Sequence, residues 1–479
     1  MTKKSVTGGF IKRIRQRINR YKNKKISAEA ERFLAMAEET VRRISEMPEG
    51  EERSNLSAEL KIKEKKLKDK DKSVSKAYHK MLKSKYIKEL IPAVYAEASA
   101  APVEDKVVFV ENGRFPSPSN ERIYEMLKQQ GRYKTAAFSL HIREVSDAEY
   151  YRNALSYIRE TGTAKAVFLS TANPLMSHLE IRPETRVIQL WHGVGMFKKV
   201  GFSTMSSKSF GYSAKTRETY NEYRNYTDVT VAAEEQIWTF EDAFHISRDT
   251  GIYKPVGIAR TDVFFDEAYC ESRLKKLHEA FPPCIGKKLI LYAPTFRGSV
   301  GKARAPEMPD IRLMAEKLSG EYMLLIRQHG LCKQRPAIPE DQKNSFALDM
   351  NENDILTTDD LLAISDILIT DYSSLGFEFA VMEKPMVFYA YDLEEYIDGR
   401  GMYYDYNEIT PGPVCKTTEE VADYIADIGN RFDIEKVRAF RKKYAGACDG
   451  HATERTIALI EQQPDSGRMV KNEQQEYVQ

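Results

Sequence analysis

From Lys106 onward the chain alternates short apolar runs rich in Val, Ile and Phe with longer amphipathic segments, a rhythm that predicts strands separated by helices. A first series of runs lies at Val107 to Val110, Ala136 to Leu140, Ala166 to Leu169, Val187 to Trp191 and Val229 to Ala232. A second lies at Leu289 to Ala293, Met323 to Ile326, Ile367 to Ile369 and Met386 to Tyr389, with helices such as Thr358 to Ser365 and Thr417 to Ile428 between them. Strand, helix, strand, helix implies parallel sheets, and two similar α/β domains facing each other are the simplest architecture. Ahead of them, residues 26–100 read as helical and very polar, with a Lys-rich segment from Lys61 to Lys88 and the small-residue stretch Ala96 to Pro102 as a linker. Gly298 to Pro309 reads as a surface loop and the tail after Gln463 as disordered. The expected boundaries are 1–104 for the helical region and linker, 105–262 and 263–462 for the two α/β domains, and 463–479 for the tail.

Composition narrows the setting. At 479 residues, 42% hydrophobic and 30% charged, the chain is long enough for two or three cores. The five cysteines (Cys270, Cys284, Cys332, Cys415, Cys448) are scattered without metal-ligand spacing, which points to a reducing, cytoplasmic compartment. No run of about 18 apolar residues and no apolar signal core follow the basic amino terminus, so neither a membrane span nor secretion by that route is expected.

The net charge of +2 hides an asymmetry: residues 1–90 hold 26 basic and 13 acidic residues, the remainder 47 and 58. Residues 1–25 carry ten basic residues and no acidic one, with Phe10, Ile11, Ile14, Ile18 and Tyr21 at helical spacing. This predicts a basic amphipathic helix for an anionic membrane surface, with a nucleic-acid arm or a solvated helix as alternatives. Too few aromatics interleave the bases for a nucleic-acid stacking platform, so no nucleic-acid partner is expected.

Four predicted strands end in polar side chains. Ile369-Thr370-Asp371-Tyr372-Ser373-Ser374 runs from a strand into hydroxyls that open a helix, where unpaired N–H groups and the helix dipole favour an anion; a plain N-cap is the bland alternative. Trp191-His192-Gly193, Tyr292-Ala293-Pro294-Thr295-Phe296-Arg297 and Arg327-Gln328-His329-Gly330 follow three other strands. Open parallel sheets bind ligands at such carboxyl ends, and these side chains share a phosphate chemistry.

Asp371-Tyr372-Ser373-Ser374 followed by Phe377-Glu378, Lys384-Pro385, the run Tyr391 to Tyr396, Arg400-Gly401, and Pro411-Gly412-Pro413 with Lys416 to Glu420 resemble the CDP-glycerol glycerophosphotransferase family of teichoic acid polymerases and primases. Order and spacing agree from Val107 to about Ile460. The resemblance implies two Rossmann-like domains facing a cleft in the GT-B manner, the amino-side one for the acceptor and the carboxyl-side one for the nucleotide donor. It implies transfer of a polyol phosphate, glycerol phosphate first, from a CDP-polyol to a hydroxyl of a lipid-linked polymer, with CMP leaving. CDP-ribitol is the nearest variant, a sugar-nucleotide glycosyltransferase of the same fold a second, and a binding scaffold with a degenerate domain a third. The expected place is the cytoplasmic side, peripheral on the inner face of the membrane. Two departures stand out: Val194-Gly195 replaces the usual Thr-Pro after Gly193, and Gly330 follows His329 where many relatives carry proline.

On this resemblance the residues take roles. His192 activates the acceptor hydroxyl, since imidazole titrates near neutrality, and Gly193 and Gly195 allow close backbone approach; a satisfied core histidine is the alternative. Arg327 and His329, two apart on one strand, share a face and a phosphate, with His329 assigned to the transferred phosphate or leaving group. Thr295 and Arg297 repeat that spacing as a clamp on the diphosphate, and Ser373 and Ser374 hold phosphate. Arg260, in Gly257-Ile258-Ala259-Arg260-Thr261-Asp262, closes over the diphosphate. Asp371 caps the helix or orients Ser373. The only Asp-x-Asp is Asp69-Lys70-Asp71, inside the Lys-rich segment, so neither metal nor cofactor is expected. Lys198 and Lys199 could meet an anionic acceptor, and Glu394 or Glu395 the ribose, with solvated side chains as the alternative for each.

Overall fold

The computed structural model describes residues 3–141, 144–204, 221–298, 302–352 and 355–462, with the side chains of 3–21 and 398–400 outside that description. The expected tail 463–479 and the side chains of the stripe Phe10 to Tyr21 therefore lie outside the described residues.

The chain divides into two compact units, the first of residues 1–115, 132–169 and 173–185, the second of 116–131, 170–172 and 186–479. The first opens with helices α1 (Lys3–Glu46), α2 (Glu51–Lys70), α3 (Lys72–Lys83) and, after a π-helical turn Ser84–Leu90, α4 (Ile91–Ser99). Ala30, Ala37, Val41 and Ile44 repeat on one face of α1 and are buried, and Phe33 meets Tyr78 of α3 edge-on at 4.9 Å. Glu64 of α2 accepts from Tyr78 Oη at 2.6 Å and from the Asp147 amide at 2.8 Å, the first residue of α5 (Asp147–Thr161). A buried carboxylate thus fills the role of a helix cap. The helical region is part of a core, and the small residues expected to form a linker continue α4 to Ser99. Ala98 packs so closely on Gly162 that a Cβ there would lie 2.5 Å from its own Cβ.

Strands β1 (Glu104–Glu111), β2 (Lys134–Ser139), β3 (Ala164–Leu169), β4 (Arg186–Gln189), β5 (Asp228–Thr230) and β6 (Tyr253–Lys254) follow the order β2-β1-β3-β4-β5-β6. Strands β7 (Lys288–Tyr292), β8 (Tyr322–Ile326), β9 (Ala347–Asp349), β10 (Ile367–Thr370), β11 (Met386–Tyr389) and β12 (Val414–Cys415) follow β12-β11-β10-β7-β8-β9. Every pairing described is parallel. Strands such as β8 are buried along their whole length, which is why they read as unbroken apolar runs. In the second sheet Leu289, Leu291, Met323, Leu325 and Leu368 face one core with Phe377 and Phe440. Ile290, Tyr292, Leu324, Ile326, Ile367 and Ile369 face the other with Met314 and Val421, the period-two alternation of a sheet covered on both sides.

In the second sheet the chain runs outward from β7 to β9, returns, and continues from β10 on the other side of β7. The carboxyl ends of β7 and β10 therefore flank a topological switch point, where the loops diverge and leave room for a ligand. Helices α6 (Thr358–Ile364) and α7 (Thr418–Ala426) begin with capping boxes built by Thr357 with Asp360 and Thr417 with Glu420, and α8, in chain order between them, is the short Leu375–Ala380 after β10. No helix among the described residues is long and apolar enough to cross a membrane.

Candidate active site

At the switch point Asp371 ties two loops together. Its Oδ1 accepts the Thr295 amide at 2.8 Å and the Tyr372 amide at 2.6 Å, and its Oδ2 accepts Arg297 Nη1 at 2.8 Å. Arg297 also donates to both oxygens of Asp392, at 2.6 and 2.9 Å, and to the Thr295 carbonyl at 2.7 Å, and lies beside the stacked rings of Tyr372 and Tyr396. Burial opposes its charge, but Asp371 and Asp392 outweigh it and raise its pKa. The guanidinium is thus occupied in building the loop, and strand β7 ends before Thr295, so the expected two-residue clamp on one strand face does not form. Thr295 Oγ1 accepts from Lys198 Nζ at 3.3 Å. The cap expected of Asp371 is also corrected: Ser374 occupies the N-cap of α8 without a side-chain cap bond, and Ser373 Oγ accepts the Leu375 amide only at 3.4 Å. Asp371 turns instead to the loop after β7, because two amides and a guanidinium await it there.

The turn after β4 is strained. Trp191 has φ 58°, a left-handed conformation costly for a bulky residue, with its amide held by Gln189 Oε1 at 2.8 Å and its ring edge-on to Phe240 and Phe244. His192 comes next. Its side chain is open to solvent, yet enough protein encircles the ring that burial, then the charge of Arg260, lowers its pKa. A bond to the main-chain carbonyl of Ser170 fixes one ring nitrogen as donor. The imidazole is therefore neutral at pH 7, with its other nitrogen available to take a proton.

Beyond it the backbone passes close over α8. A Cβ on Gly193 would lie 3.3 Å from Glu378 Oε1 and 3.5 Å from Ser374 Oγ, and one on Gly195 would lie 2.7 Å from both Gln236 Nε2 and Phe377 Cδ1. The departure at Gly195 is thus explained by packing. Glu378 is fully buried; its Oε1 accepts the Val194 amide at 3.2 Å and lies 3.9 Å from Arg260 Nη1, while its Oε2 has no hydrogen-bond partner. Burial pushes its pKa up to about 7, against the pull of Arg260. Arg260 donates to the main-chain carbonyl of His192 and to Asp359, so it clasps the histidine turn from beneath. Sequence reasoning quoted Phe377-Glu378 without giving Glu378 a role, and passed over Asp359. The available signal was a lone carboxylate within the apolar helix Leu375–Ala380.

Strand β8 ends at Ile326, so Arg327 and His329 do not share a strand face as expected. Arg327 turns its guanidinium to the Met350 carbonyl. His329 is exposed, packs edge-on against Phe296 at 4.9 Å, and accepts the Leu331 amide through Nδ1 at 3.2 Å, which leaves Nε2 as the protonated nitrogen of the neutral ring. Burial, then the nearby charge of Lys198, lowers its pKa. Two groups of predicted residues thus come together: His192, Gly193, Arg260 and Ser374 around Glu378, and Thr295, Arg297 and Asp371 with Lys198 and His329 alongside. Glu394 is exposed and pairs with Lys416 at 3.0 Å. Among the described residues no group of three or more His, Cys, Asp or Glu side chains could hold a metal ion.

The family model of CDP-Glycerol:Poly(glycerophosphate) glycerophosphotransferase matches residues 94–462. Over 376 residues the chain is 32% identical to the teichoic acid poly(ribitol-phosphate) polymerase of Bacillus spizizenii, covering 77% of this chain and 58% of that one. It is 31% identical to the teichoic acid ribitol-phosphate primase of the same organism over 79% of this chain and 96% of that one. With the teichoic acid glycerol-phosphate primase of Bacillus subtilis identity is 30%, over 70% and 86%. The chain spans about three fifths of the length of the ribitol-phosphate polymerases it matches. The solved wall teichoic acid polymerase TagF superposes with a TM-score of 0.64 at 24% identity, over 79% of this chain and 96% of that one, a likeness of fold. By sequence model and relatives together, the chain belongs to the CDP-Glycerol:Poly(glycerophosphate) glycerophosphotransferase family.

Proposed function

We propose that the protein transfers a polyol phosphate, glycerol phosphate or ribitol phosphate, from its CDP derivative to a hydroxyl of a lipid-linked teichoic acid or related polymer, releasing CMP. The observation that carries this reading is a neutral, solvent-facing His192 held on a strained turn whose next residue, Gly193, packs against Ser374. Its free nitrogen takes the proton of the acceptor hydroxyl as that oxygen bonds to the phosphorus bearing the polyol; the bond from that phosphorus to the CMP oxygen breaks, and CMP departs. Ser373, Ser374, Lys198 and the Nε2–H of His329 supply donors and positive charge for the phosphates. Asp371 and Arg297 hold the Thr295 loop in place, and Arg260 holds the backbone of His192. Relatives named for both polyols support a CDP-polyol without separating glycerol from ribitol. A variant of TagF has been solved with CDPG.

Incubating the protein with CDP-glycerol or CDP-ribitol and a lipid-linked acceptor, and measuring CMP release, tests the reading. Acceptor-dependent release is expected with one of them; release from neither, with turnover of a UDP-sugar instead, would replace it with glycosyl transfer. The basic residues of 1–25 are proposed to hold the enzyme on an anionic bilayer, at about 1 kcal/mol per basic residue near the surface. Removing them should abolish salt-sensitive co-sedimentation with anionic vesicles, and undiminished sedimentation would assign the segment another partner.

A further inference from the structure

Beside His329 lies a recess of about 550 Å³ whose lining includes Arg304, Lys333, Gln334 and Arg335 and no acidic side chain. Its two walls continue the loops already described. Arg304 is paired through its backbone with Arg297, amide to carbonyl in both directions at 2.8 and 3.0 Å, so the locked guanidinium of Arg297 anchors that wall. The other wall leaves His329 through a turn in which the Cys332 amide donates to the His329 carbonyl at 2.9 Å. Arg304, Lys333 and Arg335 are exposed, and among the described residues none of them enters an ion pair. By contrast Arg312 and Arg438, exposed in the same unit, meet carboxylates at 2.8 and 2.7 Å. Three like charges without counterions repel one another, and that arrangement is relieved when an anion enters.

We infer that this recess is a subsite for a phosphodiester-linked polyanion, holding phosphates of the acceptor chain away from the reacting hydroxyl. The inference rests on the polyol-phosphate transfer proposed above and names where its polymer is gripped. The recess volume lies within the usual size of a ligand pocket, but no aromatic side chain lines it, so it lacks a platform for stacking the donor's base. A chain of phosphates joined by flexible polyols needs only spaced cations, which is what the walls present. From the recess a path of donors and charge then continues to the Nε2–H of His329 and the ammonium of Lys198, the groups placed on the reacting phosphate.

The test is the triple variant Arg304→Gln, Lys333→Gln, Arg335→Gln, assayed by CMP release with lipid-free acceptors of one and of about ten polyol-phosphate units, together with calorimetric binding of the longer acceptor without donor. For the long acceptor KM should rise about 10-fold or more, and the slope of log affinity against log salt should shrink by about 2, at roughly 0.7 per cation removed from a flexible polyanion. The donor KM and the rate with the one-unit acceptor should hold. A rise in donor KM of the same size would make the recess a nucleotide site, and unchanged constants throughout would make the cations surface charge only. Should the wild type release no CMP with either acceptor, the transfer reading fails, and the calorimetric arm still decides the recess: equal binding of the long polyanion by variant and wild type overturns it.

Discussion

Arg297 and Arg335 are chemically the same side chain on neighbouring loops, and they stand in opposite circumstances. Arg297 is 8% exposed and spends its donors on Asp371, Asp392 and the Thr295 carbonyl. Arg335 lies open in a recess without a carboxylate in its lining. The first builds the loop around it and has little left for a ligand, whereas the second adds nothing to the fold that water could not supply. Residue type alone cannot separate the two; the partners can. The same division runs through the proposed site, with Asp371 and Arg260 locked and His192, Ser374 and one oxygen of Glu378 left open.

The comparison can be broken most directly at its locked end. Arg297→Ala leaves the buried Asp371 and the half-buried Asp392 without their countercharge and should destabilise the protein by about 3–5 kcal/mol, whereas Arg335→Ala should stay within about 0.5 kcal/mol. Denaturant unfolding of the two variants checks it, and equal losses would erase the distinction. Among open groups, His192→Ala should cut turnover about 100-fold or more with the melting temperature nearly unchanged. Because the pKa of His192 is lowered, the acid limb of the rate profile should lie below the 6.5 of an ordinary histidine.

Glu378 sharpens the contrast through pH. Folded, it keeps its proton up to about pH 7; unfolded, it titrates near 4.5. Between those values the folded state binds more protons, so stability falls as pH rises, by about 1.4 kcal/mol per pH unit at most, and levels off above 7. Glu378→Gln should flatten that decline in unfolding curves taken across the interval, and an unaltered slope would assign the titration elsewhere. A small change in stability is expected for Ser373→Ala with Ser374→Ala, within about 1 kcal/mol, since Ser374 makes no cap bond and that of Ser373 is long. Donor affinity measured by calorimetry should nonetheless weaken.

Long apolar runs made most strands legible from the residues, because strands buried on both faces carry no polar interruption. Strands β6, β9 and β12, of two or three residues, left no such pattern. The placement of His192, Thr295, His329 and Ser373 beyond strand ends was legible for the same reason. What these residues touch was not. Arg297 meets Asp392 across 95 positions of chain, and Arg260 meets Asp359 across 99. Arg327 and His329 separate because the strand stops one residue before the pair, a boundary set by the Gln328 amide turning to Asn351 Oδ1 at 2.8 Å. The role of Glu378 depends on the Val194 amide, 184 positions away.

Asp371 bears on how such an enzyme can change over generations. One carboxylate receives the amide of one loop, the amide of its own loop and a guanidinium, so a substitution there disturbs the fold and, on the transfer proposed above, the handling of the donor at a stroke. Selection can scarcely tune one trait without the other, and that corner should drift slowly. The cations of the recess carry no such double duty. A lineage that took up a polymer of different spacing could exchange them one at a time, keep the reaction intact throughout, and arrive at a new acceptor without passing through an unfolded ancestor.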